Sequence, residues 1–524
     1  MFQALLVRKY LFSKVMPLLA CTGVLLCVAM VIVIWSVMGG FLDLLIRSGR
    51  TTTGDVAISW PNVGFAHYDD LIQRLENDPL IEAAAPIIET YGLIQLPTGR
   101  QEMVLVRGVD GPSFAQVTAY DDILWWRPLT QPLRKDTKRE DIRLEPGYRD
   151  NLGTVLNQGR TLSRMDDQGV MQPAMVLGIE VSRINVREPQ GFYSPRVYRV
   201  RKPDGTFEDR DEFLPYTGEV VLSLLALDKD GSVVEQATRK IPVANEFNSG
   251  LFEADSKIVL VRLDLAQQML RMHAQQRRVK ADGTPADAPA TNDNGDEGFV
   301  GSGQTKLIDE PARITSVLVR GKGDLGELGA SEPLKDRVYK IYGEFAAAHK
   351  GQVPDEFTIS INTWEDQNRT MINAVRKETG LLLFLFSFLC IVAIFLIFAI
   401  FWSMIAEKTK DIGIMRALGA SKPGVAGVWI GYGLAIGIVG SGLGATLAVL
   451  IVKNINVIHE FLGRAFGLTI WNPEVYYFTE IPTRLDNTKL IAVIIAGILC
   501  SVIGAAIPAI RAARMDPVKA LRFE

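Results

Sequence analysis

Four stretches of this chain, residues 15–42, 381–406, 423–452 and 490–510, are apolar and almost free of charge. Each supplies the roughly 20 apolar residues needed to cross a hydrocarbon core ~30 Å thick. Lipid offers no partner to a backbone N–H or C=O, so such runs satisfy their own hydrogen bonds by folding as helices. The chain is therefore read as a membrane protein with four spanning helices. Arg8, Lys9 and Lys14 precede the first run, as they would in a secretory signal, but the run is too long for a signal core. No small-x-small cleavage site follows Phe41, and a signal anchor is expected.

The flanking cations predict an orientation. Arg8, Lys9 and Lys14 lie before the first span, Lys408, Lys410, Arg416 and Lys422 between the second and third, and Arg511, Arg514, Lys519 and Arg522 after the fourth. With four spans these clusters share one side, which the positive-inside rule makes cytoplasmic. Arg47 and Arg50 are mild exceptions on the other side. Residues 1–42 are thus expected to form a cytoplasmic N-terminus and first span, 43–376 a large outer domain, and 377–524 a unit of three further spans. Both termini are then cytoplasmic.

The outer region is predicted to be α+β, because strand and helix patterns alternate within it. Two segments share a pattern: strand 55–59, helix 68–77 and strands 81–91 and 103–108 in the first; strand 315–321, helix 334–348 and strand 357–362 in the second. They are expected to form one split, membrane-proximal module joined to the first and second spans. Between them a β-rich insertion is expected, with strands at 174–179, 219–227, 240–243 and 256–261 and a helix at 265–273. The charge run 136–150 and the Asp-, Gly- and Asn-rich stretch 281–306 read as solvated linkers. All four cysteines (Cys21, Cys27, Cys390, Cys500) fall in the spans. The outer domain must then be held by its own core, for which it is long enough.

Residues 407–420 are more than a connection between two spans. They alternate charge with Ile412, Ile414, Met415 and Leu418, and end at Gly419, a natural helix stop, with Pro423 soon after. This pattern predicts a short helix lying at the membrane surface and offering one side to a protein partner. Small residues recur four apart in the third span (Gly433/Gly437, Gly440/Gly444) and the fourth (Gly497/Ser501/Ala505). They permit close helix contact, either within the chain or between two copies.

Signs of catalysis are missing from the sequence. The histidines (His67, His273, His349, His459) are scattered, no Cys/His pairing suggests zinc, and no Gly-x-Ser-x-Gly elbow is present. Residues 301–306 lack the spacing of a phosphate loop, so no ATP site, cofactor or metal is expected in this chain. The spans carry no ion-relay charges. Near balance of 56 Lys+Arg against 59 Asp+Glu argues against a nucleic-acid partner.

Several segments together resemble the MacB/FtsX superfamily of ABC membrane subunits, and within it the lipoprotein-releasing permeases LolC and LolE. Ser36-Val37-Met38-Gly39-Gly40-Phe41 is similar to that family's Ser-Val-Met-Asn-Gly-Phe, departing at Gly39. Val104 to Asp110, Ser249 to Ser256 with Leu263 to Gln267, Tyr476-Tyr477-Phe478 with Ile481-Pro482-Thr483, and the tail from Pro508 to Arg522 complete the resemblance. It implies a permease subunit in a bacterial inner membrane, its large domain periplasmic, working by mechanotransmission to lift lipoproteins from the outer leaflet. Two permease chains, identical or not, would pair over a separate LolD-like cytoplasmic ATPase that binds ATP–Mg. Residues 407–420 would be the coupling helix, with Ile412, Met415 and Leu418 as apolar anchors, Glu407, Lys408, Asp411 and Arg416 as polar contacts, and Gly419 as its stop. A loop of the outer domain would recruit a periplasmic carrier. The basic tail would anchor the last helix, contact membrane lipid or touch the ATPase. A MacB-like exporter and an FtsX-like switch acting on a periplasmic partner without transport are the alternatives.

Overall fold

A computed structural model describes residues 15–130, 141–166, 168–188, 192–202, 205–227, 233–279, 306–323, 325, 329–466 and 481–521. The stretch 281–305 and the Tyr476-Tyr477-Phe478 segment named above lie outside the described residues. Contacts divide the chain into two units. Among the described residues, one lies within 46–369 and the other comprises 15–45, 370–466 and 481–521.

The first unit is built on one nine-stranded sheet: β1 (Val56–Ser59), β2 (Ile81–Gln95), β3 (Gln101–Val109), β4 (Met175–Gly178), β5 (Glu219–Leu227), β6 (Val233–Phe247), β7 (Ile258–Arg262), β8 (Ser316–Gly321) and β9 (Ser360–Thr363). The strand order is β5-β6-β4-β7-β3-β2-β8-β1-β9, and β5 pairs again with β2, so six of the strands close into a ring. The long β2 makes this possible. Its first half pairs with β8, its second half with β3, and residues 92–95 also pair with β5. Gly92 lets β5 approach, for a Cβ there would sit 2.6 Å from Leu224 Cδ2 and 3.1 Å from the Ser223 carbonyl oxygen.

The split module is present: β1, β2 and β3 come from the first segment and β8 and β9 from the second, with β1 antiparallel to both β8 and β9. Strand alternation sends neighbouring residues to opposite faces. Val56, Ile58, Val317 and Val319 pack under the helices Tyr68–Glu76 and Glu332–Ala348 through Leu71, Leu75, Val338, Tyr342 and Phe345. Ala57, Ala85 and Leu318 face the other way, onto Phe114 and Val117 of the helix Gly111–Val117. Because both faces are covered, β1 reads as apolar throughout rather than alternating.

The charge run is not a linker where it is described. Asp141 and Arg143 are 3% and 2% exposed, within the turn that begins the aromatic cluster of Trp126, Ile142, Leu152, Val155 and Phe213. The Arg143 guanidinium donates to Asp141 Oδ2 at 2.7 Å and to the Trp125 carbonyl at 3.0 Å, and lies 3.9 Å from the Trp125 ring centre. Composition misled here because two buried opposite charges satisfy each other as well as solvent would. Beside this cluster, Asn245 of β6 holds the Trp126 backbone at both its N–H and its carbonyl.

The neighbouring Glu246 accepts from Trp126 Nε1 (2.6 Å), Asn185 Nδ2 (2.7 and 2.8 Å) and Ser182 Oγ (3.1 Å). Burial outweighs those donors and pushes its carboxyl from 4.5 up to about 7; burial likewise moves Asp255 from 3.8 up to about 7. The folded state therefore holds these protons more tightly than the unfolded chain. Stability falls as pH rises through the interval between the ordinary and the raised values, and the full penalty applies above about 7. Asp264, depressed by its hydrogen bond with Arg262, acts oppositely and loses its contribution only as pH falls below 3.8. Melting of the full chain is expected to run higher at about pH 5 than at about pH 8, and Glu246→Gln should shrink the difference. A profile equally steep in that variant would show that Glu246 is not a source of it.

Among the described residues four helices are long and apolar enough to cross a membrane: Pro17–Ile46, Arg369–Glu407, Lys422–Lys453 and Asn487–Ala513. Their shared core joins Val24, Val28 and Ile32 to Ile397, Phe401, Tyr432, Ile436, Val493 and Ala505. The second span is the least covered, with Leu381, Phe384, Phe388 and Phe395 all more than half exposed, the condition of a surface that meets lipid or another chain.

Candidate coupling site

The segment between the second and third spans forms the helix Thr409–Ala417. Its start is held by the Lys408–Asp411 ion pair at 2.9 Å and by Thr409 Oγ1 donating to the Ile405 carbonyl at 3.1 Å. Its end is a Schellman motif: Ala420 N–H donates to the Met415 carbonyl and Gly419 N–H to the Arg416 carbonyl, with Gly419 in the left-handed region at φ 94°. Ser421 then caps the third span through Gly424 N–H.

The helix has two sides. Thr409, Ile412 and Gly413 are buried, and Ile412, fully buried, packs with Ile405, Val425, Ala512 and Ala513. Met415 is half-buried against the same cluster. Lys410, Asp411, Ile414 and Leu418 lie exposed at helical spacing, Ile414 at 49% and Leu418 at 84%. The three expected anchors thus fall on different sides of the helix. Ile412 holds the helix to its own chain and Met415 mostly does so, because a surface helix must first seat an apolar side on the protein that carries it. Arg416 is also turned inward: its Nη1 donates to the Ala420 carbonyl at 2.9 Å, bracing the loop. Ile414 joins Leu418 on the outer side. Glu407 is exposed at the helix entry.

The tail packs on this helix. Pro517–Leu521 lies against Thr409–Ala417, and Ala520 is 4% exposed. The four glycines of the third span face spans of the same chain. A Cβ at Gly433 or Gly437 would meet Ala505 or Ile498 and Ser501 of the fourth span at 2.6–3.1 Å; one at Gly440 or Gly444 would meet Val24 or Leu25 of the first at 2.6–2.8 Å. Ser501 Oγ donates to the Gly433 carbonyl at 2.7 Å across this contact.

The motif Ser36–Phe41 meets Ile481-Pro482-Thr483 and the residue after it, Arg484, which is 448 residues from Ser36. Ser36 and Arg484 exchange hydrogen bonds at 3.0 Å, Arg484 pairs with Asp43 at 2.7 Å, and Asn456 grips both the N–H and the carbonyl of Ile481. A Cβ at Gly40 would lie 2.5 Å from Thr483 backbone atoms, whereas one at Gly39 meets nothing within 4 Å. The departure from the motif thus falls at the position that tolerates it. Asn456 and Asp43 were invisible to sequence reading, since nothing local marks a partner so distant. His67 and His349, scattered in sequence, stack at 4.4 Å, with His349 3.0 Å from Asp70. No group of three metal-ligating side chains occurs among the described residues.

Residues 383–517, which include this helix, match the family of FtsX-like permease C-terminal domains. Curated relatives are lipoprotein-releasing system transmembrane proteins. LolC of Haemophilus influenzae is 31% identical over 43% of this chain and 52% of its own length; LolC of Xylella fastidiosa is 29% identical over 31% and 40%. LolE of H. influenzae is 28% identical over 22% and 28%. The chain therefore spans about half or less of the curated relatives it matches. Among solved structures, the match to the periplasmic region of MacB from Actinobacillus actinomycetemcomitans covers 62% of this chain and 95% of that one, at TM-score 0.26 and 9% identity. Over residues 383–517 the chain resembles the FtsX-like permeases, and over parts of its length LolC and LolE.

Proposed function

We propose that this chain is the permease subunit of an ATP-driven ABC complex. The helix Thr409–Ala417 docks on a separate LolD-like cytoplasmic ATPase, which binds the ATP–Mg. The observation that carries this is the two-sided helix: a face fully seated on the ends of the second, third and fourth spans, and an opposite stripe of Lys410, Asp411, Ile414 and Leu418 left outward. A push on that stripe reaches three spans at once through Ile412. In this reading both termini are cytoplasmic, the unit built on the nine-stranded sheet is periplasmic, and motion of the first and second spans reaches it without a pore. Two permease chains pair in a bacterial inner membrane.

The names of the LolC and LolE relatives support lipoproteins as the cargo, passed to a periplasmic carrier. A MacB-like exporter or an FtsX-like switch would use the same helix, and the two readings differ in what the outer domain holds. Affinity purification of the detergent-solubilised chain with mass spectrometry separates them. An ABC ATPase with acylated lipoproteins is expected. An ATPase with a cell-wall hydrolase and no lipoprotein would favour the switch, and no ATPase at all would overturn the coupling role.

A further inference from the structure

Behind the helix Thr409–Ala417, on the side away from its exposed stripe, lies a cavity of about 290 Å³. Its walls come from the end of the second span (Trp402, Ile405, Ala406), the last turns of the fourth (Pro508, Arg511) and the tail (Met515, Ala520). Pro508 helps to open it, since a proline inside the helix Asn487–Ala513 has no N–H to bond the preceding turn. The walls are mainly hydrocarbon, at the level where two spanning helices leave the apolar core.

Arg511 supplies the charge. Its guanidinium stacks on the Trp402 ring at 4.0 Å, and it has no ion pair or hydrogen bond among the described residues. Stacking holds the guanidinium in place while leaving its N–H donors unspent, the state of an arginine set to receive an oxyanion. Asp516, the acid that lines the cavity, accepts from the Val518 N–H at 2.9 Å. Arg514, one turn beyond Arg511, is exposed and adds to the positive field.

We infer that this cavity binds the headgroup and proximal chain carbons of one anionic phospholipid. The chemistry calls for an amphiphile: oxyanion at Arg511, hydrocarbon against Pro508, Met515 and Ala406. A tryptophan at the interface and a basic residue between span ends are the usual elements of such recognition. At about 290 Å³ the cavity is at the small end of ligand pockets, enough for the head of a lipid whose tails run on into the bilayer. Thr409 lines the same cavity, so the lipid braces the seat of the surface helix without touching the stripe that meets a partner. The inference needs only that the spans lie in a membrane; it does not depend on which ATPase or cargo the chain serves.

Native mass spectrometry of the full chain in mild detergent tests it, by titration with phosphatidylglycerol and with phosphatidylcholine. Wild type is expected to retain one phosphatidylglycerol in preference to phosphatidylcholine, and Arg511→Gln to weaken that retention about fivefold, the worth of one cation at a lipid surface. Arg514→Gln, outside the cavity, should weaken it less. Ala406→Phe, which fills the cavity and keeps Arg511, should also lose the lipid, and it decides the matter if Arg511→Gln fails to fold. Equal retention of both lipids by wild type, unchanged retention in Ala406→Phe, or full displacement by millimolar inorganic phosphate would overturn the inference.

Discussion

In the proposed complex, Leu418→Asp is expected to release the ATPase while leaving the chain folded. Leu418 is 84% exposed and is the C-cap of the helix Thr409–Ala417, so nothing in its own chain depends on its side chain. Exposed substitutions of this kind usually change stability by less than about 0.5 kcal/mol. In a docked complex the same leucine would be buried, which is worth about 1.5–3 kcal/mol, and an aspartate there adds the cost of an unpaired charge. A loss near 3 kcal/mol corresponds to about a hundredfold in affinity. Ile414→Asp should act in the same direction, less strongly, because only half of that side chain faces outward. Ile412→Asp is the contrasting case: it places a charge among Ile405, Val425, Ala512 and Ala513 and should lower the melting temperature of the chain itself. Pull-down of the ATPase and thermal melting, measured on the three variants, separate docking from seating. If Leu418→Asp keeps its ATPase and its cargo release, the outward stripe is not the docking surface.

The sequence distinguishes a surface helix from a plain loop at residues 407–420 because capping and helix-stop chemistry is local. It cannot say which side is inward. Ile412, Met415 and Leu418 look alike as apolar positions, and only the location of Val425 and Ala512, residues from two other spans, decides that Ile412 is the seat and Leu418 the free face. The same division runs through the outer unit. Strand 219–227 is legible to the residue because it is a short Val- and Leu-rich run that starts just after Gly218 and ends just before Asp228, although only the structure shows that Val220, Leu222, Leu224 and Ala226 are the inward residues. The closure of β5 onto β2 is not, since it depends on a glycine 132 residues away, the separation of Gly92 and Leu224. Asp141 and Arg143 mark the limit of composition as a guide: two charges in a charged run read as solvent-facing until the structure shows that they pair beneath Trp125. Two small hairpins, Ser163–Met165 with Met171–Pro173 and Asn185–Arg187 with Tyr193–Pro195, are three residues a strand, below the length at which alternation can be told from chance.

Gly444→Leu and Gly442→Leu, two residues apart on one helix, should differ sharply. A Cβ at Gly444 would lie 2.6 Å from the Leu25 carbonyl oxygen and 3.1 Å from Val28 Cβ; one at Gly442 would meet nothing within 4 Å. The Leu25 oxygen belongs to the backbone of the first span and cannot rotate away, so the first and third spans must separate to admit the side chain. Overpacking of this kind costs about 1–3 kcal/mol, and more where backbone must move. In a membrane the loss is not offset by burying apolar surface elsewhere, since spans associate by close packing rather than by escape from water. Gly442→Leu, facing outward, should melt with wild type. The pair also decides between the two uses that small-residue spacing allows. If the spacing serves packing within the chain, Gly444→Leu lowers the melting temperature of the single chain and its yield from the membrane. If it serves pairing between copies, Gly444→Leu melts like wild type as a single chain and instead shifts the complex toward unpaired chains on gel filtration. The 2.6 Å approach of Leu25 predicts the first outcome, because the face that a partner copy would need is already occupied by the chain's own first span.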